Sequence, residues 1–366
     1  MHTMFDIQPE DTALATPFLT ELVHKYQALQ EDGTALRRRD AAFALGVSEA
    51  ELIDAQAGEL RRIRLDGRFG EQIETFHRLG YLMTLTRNDA AVHERKGSYP
   101  KARINGPMGL VISKERKIDL RIIVGRWRFG FAVAEPAKNG VRYSLQFFDG
   151  QGNAVQKIFL QPESDADAYF ALVSEFRADD QTAPLALETE PEVVNHADDA
   201  EVDAGALAQE WDEITDVHQF MGMLKRHGVS RQQAFRLAGS ERAQPFDPAG
   251  VTALLERAAA GGVPIMCFVG NRGNIQIHSG AISRVKTMGP WLNVLDPEFN
   301  LHLQMDKVSA AWVVRKPSKD GTITSIELYL ENGDTAAQFF GVRTREEDPA
   351  WRTLAESMLD PERACA

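Results

Sequence analysis

The feature that most constrains the fold is an internal repeat that spans most of the 366 residues. Residues 119–160 align without a gap to residues 300–341 at an offset of 181, and prolines and glycines coincide along the alignment. Shorter matches upstream, which need small gaps, are GPMGLVI with GPWLNVL, TRNDAAVH with VGNRGNIQIH, and GVSEAELIDAQAG with GVSRQQAFRLAG. Self-similarity at a fixed offset indicates a tandem duplication, with one structural unit in each copy.

Within each copy, helical patterns come first and strand patterns follow. The helix-period segments are PFLTELVHKYQALQ and RRDAAFALGVSEAELIDA in the first copy, EWDEITDVHQFMGMLKRH and PAGVTALLERAAAG in the second, and WRTLAESM near the end of the chain. Segments rich in Val, Ile, Phe and Trp follow, with turns at KNG, DGQGN, KDG and ENGD. This order predicts an α+β fold in which each half is a large antiparallel sheet flanked by helices.

An acidic stretch between the copies sets the expected domain boundaries. Residues 178–203 hold nine Asp and Glu and no Lys or Arg, so the formal charge of −12 falls to −3 for the rest of the chain. We expect an N-terminal repeat over residues 1–177, an acidic linker over 178–204 and a C-terminal repeat over 205–366. The nearly neutral repeats leave room for a local basic pocket.

The sequence has no sign of a membrane span or of export. No run of 18 apolar residues occurs, and the start, MHTMFDIQPEDT, lacks the basic and apolar regions of a secretory leader. The two cysteines, Cys267 and Cys365, form neither a CxxC pair nor a disulfide framework. These features predict a cytoplasmic protein in a reducing compartment.

The two copies differ at a few polar positions, and such differences locate function, because one ligand site needs only one copy whereas packing keeps both alike. The second copy has His218, Arg231, Lys316, Gln338 and Arg343 where the first has Leu36, Glu49, Glu135, Lys157 and Pro162, respectively. The second copy thus gains one histidine and three cations. We expect an anion site in the C-terminal repeat.

The stretch DVHQFMGMLKRHG contains two histidines on one predicted helix. His218 is expected at the edge of the buried stripe, and His227 is expected to be only a charge at the helix end. The predicted stripe consists of Ile214, Val217, Met221 and Leu224. The pattern alone leaves two interpretations of His218: a hydrogen-bonded structural residue, or a ligand for a metal or cofactor.

Several long motifs resemble a known family. DVHQFMGMLKRHGVSRQQAFRLAG, IMCFVGNRGNIQIHSG, VLDPEFNLHL and RKPSKDGTITSIELY in the second copy, and LTRNDAAVHERKG and DLRIIVGRW in the first, are similar to bacterial cytoplasmic haemin-degrading and haem-trafficking proteins of the HemS, ChuS and PhuS type. The similarity covers nearly the whole chain except the extreme N-terminus and the acidic linker. The motifs occur in the same order, which makes the resemblance specific.

The resemblance implies a duplicated α+β protein that binds one haem b as cargo or substrate. His218 matches the axial iron ligand, and Arg121 matches a distal-side arginine that is catalytic if the protein is an enzyme. The residues that match the pocket walls and the propionate contacts are Arg231, Phe268, Lys316, Gln338, Phe340 and Arg343. Relatives can carry Tyr at the position of Phe340, and some carry further histidines at those of Gln219 and Met221.

The chemistry of these residue types agrees with the resemblance. Neutral imidazole ligates haem iron, and guanidinium groups suit the carboxylates of propionates. A haem carrier and a haem-degrading enzyme both need this pocket, so both interpretations stay open. The expected partners are haem, a haem oxygenase or the cytoplasmic side of a haem ABC transporter for a carrier, and an electron donor for an enzyme.

Two further alternatives concern the first copy. ALRRRDAAFALGVSEAELIDAQAG has helix-turn-helix spacing, but Glu49, Glu51 and Asp54 in its second helix would repel phosphate, which argues against a DNA-binding regulator. His93 and His278 occupy equivalent strand positions in the two copies. That equivalence favours a structural role for His93 over a second haem site.

Overall fold

The computed structural model describes residues 17–31, 36–138, 140–189, 195–342 and 346–360. Arg343 and Cys365 lie outside the described residues. The chain divides into two compact units. Unit 1 comprises Met1–Arg87, Glu94–Pro191 and Asn271–Gln276, and unit 2 comprises Asn88–His93, Glu192–Gly270 and Ile277–Ala366.

The first copy contains five helices and nine strands among its described residues. The helices are α1 (Pro17–Glu31), α2 (Arg38–Leu45), α3 (Glu49–Asp54), α4 (Phe69–Thr75) and α5 (Ala166–Glu175). The strands are β1 (Arg61–Leu65), β2 (Gly80–Arg87), β3 (Ala91–Ser98), β4 (Arg103–Asn105), β5 (Met108–Ile112), β6 (Asp119–Ile122), β7 (Phe129–Ala137), β8 (Gly140–Phe148) and β9 (Ala154–Ser164).

The described part of the second copy repeats this set in the same order. The helices are α6 (Ala204–Asp212), α7 (Gln219–His227), α8 (Arg231–Leu237), α9 (Gly250–Gly261) and α10 (Pro349–Glu356). The strands are β10 (Ala243–Phe246), β11 (Ile265–Gly270), β12 (Asn274–Gly280), β13 (Val285–Met288), β14 (Trp291–Leu295), β15 (Phe299–Gln304), β16 (Ala310–Lys316), β17 (Ile323–Tyr329) and β18 (Thr335–Gly341).

The strands form two nine-stranded antiparallel sheets flanked by helices. The strand order is β1-β7-β8-β9-β2-β3-β15-β14-β13 in one sheet and β10-β16-β17-β18-β11-β12-β6-β5-β4 in the other. The predicted α+β fold with a tandem duplication is confirmed. No helix among the described residues is long and apolar enough to cross a membrane.

Equivalent helix pairs in the two copies begin and end in the same way. Gly46 ends α2 with a left-handed φ of 68°, and Ser48 closes a capping box at the start of α3. Gly228 ends α7 with a φ of 65°, and Ser230 closes a capping box at the start of α8. Glycine adopts this conformation without strain, and the serine side chains satisfy free backbone N–H groups.

Helices cover both faces of the β10-β16-β17-β18-β11 part of the sheet in unit 2. On one face, Val313 and Ile326 pack in a core with residues of α9 and α10. On the other face, Tyr329 packs in a core with Phe220 of α7 and Phe235 of α8. This second face holds the polar residues considered below.

The helix predicted over EWDEITDVHQFMGMLKRH is two helices, α6 and α7, with a break over residues 213–218. The side-chain oxygen of Gln219 accepts hydrogen bonds from the backbone N–H groups of Thr215 and Asp216, at 2.9 and 3.1 Å. These bonds give partners to two backbone N–H groups of the loop, and the new helix begins at Gln219.

The restart of the helix changes which side chains are buried. Ile214 and Leu224 are buried as predicted, but Met221 is 61% exposed, so its assignment to the buried stripe was wrong. Phe220 and Met223 are buried in its place. The error arose because a single helical period was applied across the break.

Part of the acidic stretch between the copies packs within unit 1. Gln181 is buried, and its side-chain oxygen accepts hydrogen bonds from Arg62 Nη1 at 3.2 Å and from the backbone N–H of Arg64 at 2.8 Å. Glu188 pairs with Arg128 at 2.5 Å. Gln181 and Glu188 thus have partners on the first copy, whereas Asp199, later in the same stretch, pairs with Arg236 of the second copy. The predicted linker boundaries stay a prediction.

Candidate functional site

One face of the sheet in unit 2 brings together most of the residues that were predicted to form the site. Phe268 of β11 lies opposite Gln338 of β18, and Gln338 lies opposite Glu327 of β17. Phe340, two residues from Gln338, lies on the same face, and its ring centroid is 5.0 Å from that of Phe268. Lys316 of β16 joins them by its contact with Glu327.

Glu327 is the centre of a buried cluster of hydrogen bonds. The donors to its Oε2 are Arg231 Nε at 2.7 Å, the Tyr329 hydroxyl at 2.7 Å and Gln338 Nε2 at 2.9 Å. The donors to its Oε1 are Arg231 Nη2 at 2.9 Å, the Ser325 hydroxyl at 2.9 Å and the Lys316 ammonium at 2.5 Å. These six residues are called the Glu327 cluster below.

The Glu327 cluster changes the charge expected for this site. Glu327 has no exposed surface, and Lys316 is 2% exposed. The buried carboxylate, which sequence analysis missed, neutralises one of the two cations that it contacts. A signal for it existed: Glu327 is the one charged residue in the strand segment ITSIELY, and the first copy has Gln146 at the same offset of 181.

The charges of the cluster stabilise one another. Burial opposes ionisation of Glu327, but Arg231 and Lys316 outweigh it and hold the pKa of this carboxyl well below its ordinary value. Burial lowers the pKa of Lys316 to about 8, although Glu327 acts in the opposite direction. For Arg231 the attraction of Glu327 outweighs burial and raises the pKa. A buried carboxylate with two cationic donors is thus the stable state of this cluster.

Two aromatic rings support the cations of the cluster. The Phe220 ring of α7 lies 5.0 Å from the Arg231 guanidinium carbon and 4.8 Å from Lys316 Nζ. The Phe235 ring of α8 lies 6.0 Å from the same guanidinium carbon. These distances are within the range of cation–π contacts. Helices α7 and α8 thereby cover the cluster and hold its two cations in place on this face of the sheet.

His218 precedes α7 and occupies its N-cap position. Its side chain is 91% exposed, so the prediction that it lies at the edge of the buried stripe was wrong. His218 Nδ1 is 2.6 Å from Asp216 Oδ1, and the His218 backbone N–H donates to the same oxygen. These two contacts hold the pKa of Asp216 below its ordinary value.

The contact with Asp216 selects a tautomer of His218. A carboxylate beside Nδ1 favours the form with the hydrogen on Nδ1, which leaves the Nε2 lone pair free and directed to solvent. Histidine ligands of metals commonly donate their other N–H to a carboxylate in this manner. The residues therefore fit an axial ligand site for haem iron.

The C-terminal half of α7 contacts helix α6. His227 Nε2 is 2.8 Å from Glu210 Oε2, and its side chain is 16% exposed. Arg226 contacts the same carboxylate group. His227 therefore packs against α6 near the C-terminal end of α7. An added Cβ at Gly222 would meet only the flexible end of Arg226, at 3.2 Å.

Arg121 lies on β6 in unit 1. It pairs with the buried carboxylate of Asp119, and its side chain is 34% exposed. Arg116 binds the other oxygen of Asp119 at 3.0 Å. In the strand register, Arg121 lies opposite Leu110 of β5 and Ile275 of β12. Asp119 thus holds a partly exposed guanidinium at this strand.

His93 and His278 lie in unit 2, and both contact the ring of Phe299. The His278 ring stacks on Phe299 with centroids 3.8 Å apart and planes 2° apart, and the His93 ring lies 5.0 Å from Phe299. His93 is fully buried and His278 is 2% exposed. This packing agrees with a structural role for His93.

Three of the corresponding positions in the first copy, Glu49, Glu135 and Lys157, hold charges that are paired within unit 1. Lys157 Nζ contacts Glu49 Oε1 at 2.5 Å, and Arg38 Nη2 contacts Glu135 Oε2 at 3.0 Å. Arg142 binds the other oxygen of Glu135 at 2.8 Å. Glu49 and Glu135, which replace Arg231 and Lys316, are thus bound by cations of their own unit.

Comparisons with known proteins agree with the duplication. The model of the haemin-degrading HemS/ChuX domain matches twice, over residues 46–176 and 228–358. The hemin transport protein HmuS of Yersinia pestis is 38% identical over 93% of this chain and 97% of its own length.

Two solved structures are similar over nearly the whole chain. Holo-PhuS, a heme-binding protein from Pseudomonas aeruginosa, has a TM-score of 0.89 and 44% identity over 93% of this chain and 98% of its own. ChuS, described as an Escherichia coli heme oxygenase, has a TM-score of 0.82 and 36% identity, and the match covers 93% of this chain and 99% of the ChuS chain. The double match and these full-length similarities show that the chain belongs to the haemin-degrading HemS/ChuX-domain family.

Proposed function

We propose that this protein binds haem b through His218 Nε2 and handles haem in the cytoplasm of a bacterium that acquires iron from it. The observation that carries the proposal is the exposed His218 ring, whose Nδ1 is 2.6 Å from Asp216 and whose Nε2 is directed to solvent. Relatives described as hemin transport and heme-binding proteins support the choice of ligand. The free, buried thiol of Cys267 suits a reducing compartment.

The face that carries the Glu327 cluster is the proposed site of the porphyrin edge. Met221 Sδ on α7, one turn after His218, is 3.5 Å from Arg231 Nη1, which links the ligand helix to the cluster. Arg231 offers a cation to a propionate, and Gln338, Phe268 and Phe340 offer an amide and two aromatic surfaces. Arg343, outside the described residues, stays a proposed propionate contact.

Arg121 is proposed to donate hydrogen bonds to a ligand on the distal side of the iron. Its guanidinium is held by Asp119 and remains partly exposed, which suits a donor of fixed orientation. Haem iron, when bound, supplies the redox-active metal that oxygen-dependent degradation requires. Arg121→Gln is expected to change the spectrum of the ferric complex while leaving binding through His218 intact.

The binding site is tested by comparing His218→Ala with His227→Ala in spectrophotometric titrations with hemin. We expect His218→Ala to weaken binding and to alter the Soret band, because the axial ligand is lost. His227→Ala removes an imidazole from the same helix and is expected to leave both unchanged, because His227 is engaged with Glu210. Equal effects of the two substitutions would contradict the assignment.

Carriage and degradation of haem share this site and are separated by a reaction assay. The loaded protein is mixed with a reductant in air, with catalase present to remove hydrogen peroxide. Loss of the Soret band with one defined tetrapyrrole product identifies an enzyme that needs an electron donor. An unchanged spectrum, followed by transfer of haem to a haem oxygenase, identifies a carrier. A haem ABC transporter is the proposed source of the haem in both cases.

A further inference from the structure

The carboxylate of Glu327 is saturated with hydrogen bonds. Each oxygen receives three donors, and the residue has no exposed surface. A carboxylate accepts about four hydrogen bonds in common geometry, so no acceptor capacity is left for a further group. Glu327 therefore acts on its neighbours and not on a ligand.

The two cations that bind Glu327 differ in how much of their side chain is accessible to a ligand. The Lys316 side chain is 3% exposed, whereas the Arg231 side chain is 22% exposed. Arg231 uses Nε and Nη2 for Glu327, and the contact of its Nη1 in the described structure is with Met221 Sδ at 3.5 Å. A thioether is a weak acceptor, so Nη1 retains donor capacity for a stronger one.

The bidentate contact fixes the plane of the Arg231 guanidinium. One edge of the fork lies against Glu327, and the Phe220 ring lies 5.0 Å from the guanidinium carbon. Arginine loses less rotamer freedom on binding when its plane is already held. The edge that bears Nη1 is thus oriented before a ligand arrives.

We propose that Glu327 is a positioning residue that orients Arg231 to bind one carboxylate of the ligand, and that Lys316 is the buried counter-charge of Glu327 and makes no ligand contact. This inference rests on the proposed function, because the carboxylate is taken to be a propionate of haem. It narrows the predicted set of propionate contacts, since Lys316 was expected to meet the ligand directly.

The duplication supports the proposal, because the cluster exists in one copy. At the position of Glu327 the first copy has Gln146, whose amide donates to Ser144 at 3.0 Å. At the position of Arg231 it has Glu49, bound by Lys157. A carboxylate that merely stabilised the fold would be equally useful in both copies.

The test measures how strongly the protein prefers hemin to hemin dimethyl ester, in which both carboxylates are esterified. The selectivity is the ratio of the two dissociation constants. We expect Arg231→Gln to lower it about tenfold or more, which is typical of a lost charge-assisted hydrogen bond. Lys316→Met is expected to lower it by less than about threefold, because no ligand contact is removed.

Glu327→Gln is the decisive variant because two explanations predict opposite results. If the site attracts hemin only by its net positive charge, removal of the anion raises the selectivity. If Glu327 positions Arg231, the selectivity falls at least about threefold although the site becomes more positive. Glu327→Asp keeps the charge, withdraws the carboxylate by one methylene and is expected to lower the selectivity as well.

A matched control separates positioning from a general loss of stability. Glu347 is a buried carboxylate in the same unit, bound by Arg352 at 2.9 Å and by the hydroxyl of Thr324 at 2.9 Å. Glu347→Gln should destabilise the protein and leave the selectivity unchanged. A selectivity that rises in Glu327→Gln, or falls as far in Lys316→Met as in Arg231→Gln, contradicts the positioning role. Hemin binding that is independent of His218 contradicts the proposed function instead.

Discussion

The properties of His218 depend on the residue two positions before it. Asp216 lies 2.6 Å from His218 Nδ1 and binds the backbone N–H of the same residue, so it fixes both the tautomer and the position of the ring. The D-x-H spacing was visible in the sequence, but its meaning required the helix to begin at Gln219.

We expect Asp216→Ala to weaken hemin binding by about tenfold or more, the usual effect of removing the carboxylate behind a histidine ligand. Its control is Asp212→Ala, since Asp212 is an exposed aspartate nearby that pairs with Arg242. A hemin titration of both variants provides the measurement. If the two lose affinity equally, Asp216 does not act through His218.

The charge of Glu327 makes the free energy of unfolding depend on pH. Its pKa in the folded protein is well below the ordinary value of 4.5, so the stabilisation by its charge is present above that value and is lost as the pH falls toward the lowered pKa. We expect the gap in free energy of unfolding between wild type and Glu327→Gln to be largest near neutral pH. It should narrow below pH 4.5.

The measurement for this prediction is urea unfolding of the ligand-free protein followed by tryptophan fluorescence at several pH values. The wild-type midpoint should fall more steeply with decreasing pH than that of Glu327→Gln. Parallel curves for the two proteins would show that Glu327 has the same pKa in the folded and unfolded states.

At the scale of elements, the helix pairs α2–α3 and α7–α8 are built alike although they carry different charges. The glycine that ends the first helix and the serine that begins the second were both visible in the aligned motifs GVSEAELIDAQAG and GVSRQQAFRLAG. The same local structure thus presents Glu49 in one copy and Arg231 in the other, each as the first residue of its helix.

Ser230→Ala should lower the free energy of unfolding by about 1 kcal/mol, because the N-cap bond to the backbone N–H of Gln233 is lost. Ser240→Ala, at an exposed residue of the same unit, is expected to change it by less than about 0.5 kcal/mol. Urea unfolding measures both. A negligible effect of Ser230→Ala would mean that packing alone sets the start of α8.

At the scale of the whole molecule, duplication supplies the framework and asymmetry supplies the candidate site. Both copies bury apolar faces between a sheet and helices, and these cores account for their similar element order. The polar clusters of the two units differ in which residues are charged: in unit 2 Arg231 and Lys316 share the carboxylate of Glu327, whereas in unit 1 the equivalent positions hold Glu49, bound by Lys157, and Glu135, bound by Arg38.

Cys267 reports on the integrity of the large core of unit 2. It is fully buried, and burial raises its pKa above the ordinary value for a thiol, so the reactive thiolate is suppressed. In the Cys365→Ser variant, where Cys267 is the remaining thiol, we expect no reaction with a water-soluble thiol reagent in the native state. Reaction should begin with urea at the unfolding midpoint, and early labelling would reveal local opening of this core.

The sequence by itself determined the α+β class, the duplication, the order of the helices and strands, and the residues at which the copies differ. Each of these is a local or periodic property, because hydrophobic period, turn residues and a fixed offset can be observed along the chain. The full-length similarity to the family followed from the same motifs.

Only the tertiary structure decided which of those residues act together. Arg231 and Glu327 are 96 residues apart, and nothing along the chain indicates that one carboxylate binds both Arg231 and Lys316. The exposure of His218 likewise depends on the break between α6 and α7. Gln219 stabilises this break by accepting a hydrogen bond from the backbone N–H of Thr215. Contacts across strands and helices depend on register and packing, which a linear pattern does not contain.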